Sequence, residues 1–435
     1  MDNNIQQVSY LNWVLLWINA INDSYLWIDS PDCFFYKVEH IFWNHDINST
    51  LMHSDWKHRF LQTVADVDNV IWNKNLEFEE TLLNLAKADF TNLIFTSSMP
   101  MAQVLWVDYN YLINNVKNKT WKENIFNINA KSTRNVWLDW YAELLFSLAK
   151  NIDLWWANPD KNKVTIVWNL FDRNEWDCIW NLEELKNIFE SLWIEVSTIW
   201  LNWWNFSELL KVKESGTIIS LPYWRKAAKM LAKRLKIDLL ELDLPFWINN
   251  TIEFIEKVWD FFKISENKVK KIIFNELNVK NNIDSIKWTI NKVFLNKKIT
   301  YYVDPYLYNG MVDFSDFLWM EVNQVFIHWY EKHLGNNIKK IDINLSENLF
   351  FWLKNIVPKK SDLYIINSAN KYNWLSWGDK FSKINSDSEI YLIKNYNIFN
   401  FWFPSYYNHY FVSRPYYGIK WSLNFITDIY NKLNY

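Results

Sequence analysis

The sequence predicts an α/β protein built on parallel sheets, on three observations. Between residues 163 and 263, short β-branched apolar runs alternate with amphipathic runs of helical period, the pattern of successive βα units. The same alternation returns between residues 297 and 433. No uninterrupted apolar stretch is long enough to span a bilayer.

The middle of the chain is clearest. KVTIVWNL (163–170) is apolar and β-branched, a buried strand. Leu182, Leu185, Ile188, Phe189 and Leu192 then recur at helical spacing, and Asn181 with Glu184 has the form of a capping box. EVSTIW (195–200) is the next strand, FSELLKVK (206–213) a short helix and TIISLP (217–222) another buried strand. RKAAKMLAKRLKI (225–237) is a basic amphipathic helix, LLELDLP (239–245) a strand, and TIEFIEKVWDFFK (251–263) a helix capped by Thr251. A run of this kind implies parallel strands joined by right-handed crossovers.

Toward the C-terminus, KKITYYVDP (297–305), EVNQVFIHW (321–329), SDLYIIN (361–367) and EIYLIK (389–394) are strands, FSDFLWM (314–320) is helical, and FITDIYNKL (425–433) is a closing helix. The polar helical segment 264–288 bridges the two lobes. Nearer the N-terminus, LEFEETLLNLAKA (76–88) is a helix feeding the strand NLIFTSS (92–98), and 137–152 is a further long helix.

A chain of 435 residues suggests two or three domains. A net charge of -3, with pI about 6.2, gives no basic excess for nucleic acid and no charged tail. MDNNIQQVSY lacks the basic start and apolar run of a signal peptide, so the expected location is the cytoplasm, away from any membrane. Two cysteines, Cys33 and Cys178, are too few for a disulfide framework. No GxxxxGK[ST] phosphate loop is present, even with tryptophan taken as glycine, so the chain is not expected to hydrolyse ATP.

One pair of counts is abnormal. Glycine occurs 5 times and tryptophan 30 times, where an average chain carries roughly 7% glycine. The tryptophans stand where glycine is normally needed. Trp193 follows a helix, at the place of a left-handed cap. Trp224 separates a strand from a helix start, and the doublets Trp155-Trp156 and Trp203-Trp204 lie among Asn, Asp and Pro. A genetic code in which UGA means glycine, read with a table where it means tryptophan, produces this pattern. The alternative is a genuinely tryptophan-rich chain with a carbohydrate-binding or interface surface.

The order of the pieces resembles the nitrogenase component 1 family, which includes dark-operative protochlorophyllide reductase subunits and cofactor-assembly scaffolds. Residues 10–37, YLNWVLLWINAINDSYLWIDSPDCFFYK, resemble the family's opening helix, strand and Gly-Pro…Cys loop, which places Cys33 on a cluster-ligating cysteine. Residues 53–73 resemble the stretch ending in Phe-Gly-Gly, 93–109 the strand and loop before Ile-Gly-Asp-Asp, and 401–421 the Gly-Phe-Pro segment. The stretch from Val164 to Val196 resembles the start of the middle layer. The resemblance implies three Rossmann-like domains: an N-terminal α/β domain with a Cys/His loop (1–160), a middle domain with the bridging helix (161–290) and a C-terminal domain (291–435). It also implies an iron–sulfur cluster near a subunit interface, in a homodimer or a heterodimer with a second component 1-like subunit. A separate ATP-hydrolysing iron protein is the implied electron donor.

The departures are specific. The position near Gln7 has no cysteine, and Met99-Pro100 stands where the third is expected. Only Cys33 remains, so a standard eight-iron cluster and nitrogen reduction are not expected. Four of the seven histidines, His40, His45, His53 and His58, fall close to Cys33, Asp32, Glu39, Asp46 and Asp55. Thiolate, imidazole and carboxylate together bind iron or zinc. Cys33, His40 and His45 are the candidate metal ligands, with Cys33 first, and His45 and Asp46 the candidate catalytic pair, His45 as a proton donor. The alternatives are a polar loop layer of satisfied histidines and a cysteine that is merely small and apolar. Arg225 and Lys226, at a helix start, could meet an anion, and His328 follows a strand at the edge where open sheets bind ligands. The expected function is a redox subunit that passes electrons from a partner reductase through a metal centre to a small substrate. The alternative is a relative that has lost its cluster and serves as a scaffold or binding partner.

Overall fold

The computed structural model describes residues 10–53, 58–63, 75–99, 107–128, 137–167, 173–222, 225–265, 281, 283–288, 290–303, 306–328, 343–346, 360–366, 397–401 and 408–434. Helix α1 (Tyr10–Asn19) leads to β1 (Ser24–Asp29), and α2 (Phe34–His40) continues into one π-helical turn, Ile41–His45. Next come β2 (Phe60–Gln62), α3 (Asn75–Lys87), β3 (Leu93–Ser98), α4 (Tyr109–Thr120), β4 (Ile125–Asn127) and α5 (Trp137–Asn151). The four strands are parallel in the order β2-β1-β3-β4. Both central strands are almost wholly buried, which is why β1 and β3 carry apolar residues on both faces. On one side Trp27 and Ile94 pack with Phe78, Leu82, Leu112 and Val116 of α3 and α4.

The second sheet takes β5 (Asp160–Val167), then α6 (Trp176–Ser191), β6 (Glu195–Trp200), α7 (Phe206–Leu209), β7 (Ser215–Ser220), α8 (Arg225–Leu235) and β8 (Asp238–Glu241). Its order is β6-β5-β7-β8, again parallel. Helix α8 buries Ala227, Ala228, Leu231 and Ala232. From its polar side Arg234 donates to the carbonyls of Ala149 (2.7 Å) and Ile152 (2.8 Å), placing a cation on the exposed carbonyl end of α5.

The third sheet follows α9 (Ile248–Phe262). It contains β9 (Lys298–Val303), α10 (Tyr308–Phe317), β10 (Glu321–His328), β11 (Ile343–Ser346), β12 (Leu363–Ile366) and β13 (Asn397–Asn400), closed by α11 (Ser422–Asn434). Its strands are parallel in the order β11-β10-β9-β12-β13. The described chain forms two compact units. Residues 10–175 with Glu195–Glu241 hold the first two sheets; Trp176–Ile194 with residues from Leu242 onward hold α6 and the third. Among the described residues no helix is long and apolar enough to cross a membrane.

Two expected caps are corrected. Helix α6 begins at Trp176, so Asn181 and Glu184 lie inside it rather than at its start. Asn181 Oδ1 instead accepts from the backbone N–H groups of Tyr416 (2.7 Å) and Tyr417 (3.2 Å), and Glu184 Oε2 from Trp421 Nε1 (2.9 Å). The pair serves a tertiary contact that uses the same donors and acceptors as a cap. Thr251 likewise lies within α9, its hydroxyl donating to the carbonyls of Pro245 and Trp247. Strand 389–394 and Trp224 lie outside the described residues.

Among the described residues, ten non-glycine residues have positive φ: Trp121, Trp156, Trp193, Leu201, Trp203, Lys236, Trp247, Lys263, Asn296 and Trp319. A left-handed backbone costs a residue with a Cβ about 1–2 kcal/mol. Trp193, with φ 61° just after α6, sits where the sequence places a left-handed cap.

Candidate functional site

The first sheet places the cysteine loop. From β1 the chain adds β2 on one side, then crosses to β3 on the other. Loops that leave two neighbouring parallel strands in opposite directions open a crevice at the strands' C-terminal edge. Ser30–Cys33 is the loop after β1, and the loop after β3 starts at Met99, whose N–H donates to the carbonyl of Asp29 at 2.9 Å. The two loops that resemble the family's cysteine loops therefore leave from one edge. Cys33 is exposed. Its neighbour Phe34 is fully buried against Phe60, and this contact anchors the start of α2 while the thiol faces outward.

Beneath the loop lies a buried polar layer. The Asp29 carboxylate is fully buried and accepts from Tyr109 Oη (2.6 Å) and Thr63 Oγ1 (2.7 Å). Burial and the adjacent Asp29 charge push the Tyr109 phenol well above its ordinary range. Thr63 Oγ1 also accepts from the backbone N–H of Ser30 (3.3 Å). None of this layer was read from the sequence. Asp29 and Tyr109 are eighty residues apart, and a buried carboxylate at a strand end is the only trace.

His45 and Asp46 are brought together, but inside the protein. The π turn sets Asp46 N on the carbonyl of Ile41 at 2.9 Å, and this extra residue per turn carries both side chains inward. His45 is 1% exposed and Asp46 0%. The Asp46 carboxylate accepts from Asn19 Nδ2 (2.6 Å), Asn48 N (3.0 Å) and Asn174 N (3.0 Å). Burial pushes its carboxyl up, while the Asn174 hydrogen bond, the His45 imidazole and Asn19 pull it back. Alongside, Arg173 and Glu175 pair at 3.3 Å with both side chains fully buried. Glu175 Oε1 accepts from Ile47 N at 3.4 Å. This buried knot fastens the turn after α2 to the segment before α6.

The other candidates are separate. His40 is half-buried, its Nδ1 3.2 Å from Asn44 Nδ2, and burial and Lys37 hold its imidazole below the ordinary value. His58 Nδ1 accepts from the His53 backbone (3.2 Å) and its ring stacks on Phe60. Cys178 is buried within α6. Arg225 lies 3.3 Å from Glu241, which also holds Lys229 at 3.0 Å, so a carboxylate already faces the start of α8. His328 closes β10, while Asp55 falls outside the described residues. Among the described residues, no group of three or more His, Cys, Asp or Glu side chains is placed to hold a metal ion. Cys33, His40 and His45 thus do not form a ligand set within one chain.

Three doubly wound parallel sheets, with a cysteine loop at the switch point of the first, define a multilayered α/β protein of the Rossmann type. The chain belongs to the nitrogenase component 1 type oxidoreductases, whose family model matches residues 63–434. Two solved structures similar in fold are "Nitrogenase Cp1 at pH 6.5" and "Nitrogenase Cp1 at pH 5". The first has TM-score 0.67 at 13% identity, covering 100% of this chain and 94% of that one. The second has TM-score 0.67 at 9% identity, covering 100% and 90%. No curated protein matches in sequence.

Proposed function

We propose that the chain is a component 1-type redox subunit of the cytoplasm, which contributes Cys33 to an iron–sulfur or other metal centre shared with a second subunit. In this reading electrons come from a partner reductase, an ATP-dependent iron protein, and go to a small substrate. The three domains divide near residues 160 and 290. The same proposal takes most of the tryptophans to be glycine in the living organism.

The supporting observation is the exposed Cys33 thiol on the loop after β1, at the edge from which the Met99 loop also leaves. An iron–sulfur cluster takes several thiolates. The donors of one chain do not fit it, because Cys178 is buried within α6 and no three-donor group exists among the described residues. Equivalent thiols from two subunits, completed by imidazole or carboxylate, match the chemistry without requiring that group. The buried His45 and Asp46 then act by positioning, holding the end of the α2 segment that begins at Cys33.

One observation favours a second reading, a relative without a cluster that serves as scaffold. Among the described residues the only donor retained at the family's cysteine loops is Cys33; Met99 occupies the second loop. Anaerobic purification, iron analysis and a visible-range spectrum separate the two. The redox reading predicts a coloured, iron-containing protein. Cys33→Ala bleaches it by at least tenfold with an unchanged far-ultraviolet circular dichroism spectrum, and Cys178→Ala leaves it coloured. A colourless, iron-free protein eliminates the redox reading and leaves the scaffold.

A further inference from the structure

We infer that the residues at positions 121, 156, 193, 203, 247 and 319 are glycine in the protein that the organism makes. The inference names positions within the general reading of tryptophan as glycine, and is independent of the redox proposal. Tryptophan makes up 30 of 435 residues, yet it supplies six of the ten non-glycine residues with positive φ among those described. Left-handed backbone brings Cβ against the following carbonyl oxygen. Residues that tolerate it are glycine and, less well, Asn and Asp; for a bulky aromatic it is an outlier.

Local geometry points the same way at five of the six positions. Trp121 ends α4 with φ 58° and its N–H on the carbonyl of Lys117 at 2.8 Å, the single bond of a left-handed cap. Trp193 and Trp319 follow α6 and α10, with N–H groups bonded to Glu190 (2.9 Å) and Asp316 (3.3 Å). Trp247 precedes α9 with φ 73° and ψ 166°, a region occupied essentially by glycine alone. Trp203 lies between β6 and α7 with φ 65°, its N–H on the carbonyl of Ala20 at 2.8 Å.

The two most exposed members bury little surface that could offset the strain. Trp121 is 88% exposed and Trp156 96%, so their indoles stand in water. A separate observation comes from tryptophans outside the six. The Trp17 and Trp200 side chains are fully buried, and their indole N–H groups have no hydrogen-bond partner among the described residues. Buried tryptophans ordinarily find one. These two indoles are thus poorly accommodated in the core.

Protein purified from the organism tests this by intact mass and by peptide mapping. Intact mass counts how many of the 30 sites differ, and mapping says which. The inference predicts glycine at all six sites. Tryptophan at the six, with glycine elsewhere, overturns the assignment and leaves the general reading standing. A mass matching 30 tryptophans overturns both, and neither result bears on iron binding.

Discussion

Replacing Trp121, Trp156, Trp193 and Trp319 together by glycine raises the stability of the chain as written by about 4–7 kcal/mol. Each holds a left-handed backbone that costs a side-chain-bearing residue about 1–2 kcal/mol. Trp121 and Trp156, 88% and 96% exposed, lose little buried surface in exchange, and Trp193, 61% exposed, loses somewhat more. Trp319 places its contribution at the low end, because its ring meets Trp288 and the ammonium of Lys287. Trp203 and Trp247 are left out because both are buried. There, removing an indole opens a cavity worth about 3–5 kcal/mol, which opposes the relief of strain. Against a typical total stability of about 5–15 kcal/mol the four-site gain is large. It is read as a higher urea midpoint at unchanged slope. A midpoint equal to or below the parent contradicts it.

Arg59→Met costs the protein about 3–5 kcal/mol, the scale of a broken buried network of charge-assisted hydrogen bonds. Its guanidinium sits under the end of α1. Nη1 donates to the carbonyls of Ile18 (2.8 Å), Ile21 (2.7 Å) and Ser24 (3.0 Å), Nη2 to Asn19 O (3.3 Å) and Thr50 Oγ1 (2.8 Å), and Nε to Thr50 O (3.1 Å). These carbonyls include the C-terminal end of α1 and the turn into β1, so one side chain ties the helix to the strand that carries the cysteine loop. Methionine fills the volume and supplies no donor. Burial pushes the Arg59 guanidinium down from its ordinary value to about 10. A base with a lowered folded pKa binds fewer protons folded than unfolded only between those values, so its contribution rises with pH in that window alone. The penalty is therefore flat between about pH 5 and pH 9. Denaturant titrations of both proteins at three pH values in that range check magnitude and flatness together.

Much of the fold was legible because its signals are local. The buried β5 and β7 strands show as β-branched runs, and α8 as an alternation of alanine and leucine with lysine and arginine. Cap positions were less legible. The side-chain chemistry of Asn181 and Glu184 suits a helix start, but tertiary partners 235 and 237 residues away use it. Cys33 is singled out by the resemblance of residues 10–37 to the family's opening loop, and it does sit on the loop after β1. The π turn was invisible, because its extra residue leaves no periodic trace, and with it the burial of His45 and Asp46. Arg59 was missed for a similar reason. Its partners are mostly backbone carbonyls, which carry no sequence signature.

One exposed cysteine per chain, Cys33 at the switch point of the first sheet, is proposed to meet metal at a subunit contact. Native-state alkylation followed by peptide mass mapping tests it on metal-free and iron-loaded protein. Cys33 is expected to be alkylated in the folded metal-free protein and protected at least tenfold once iron is bound, while Cys178 reacts only after denaturation. A Cys33 that is inert in the folded metal-free protein, or equally reactive with iron bound, contradicts it.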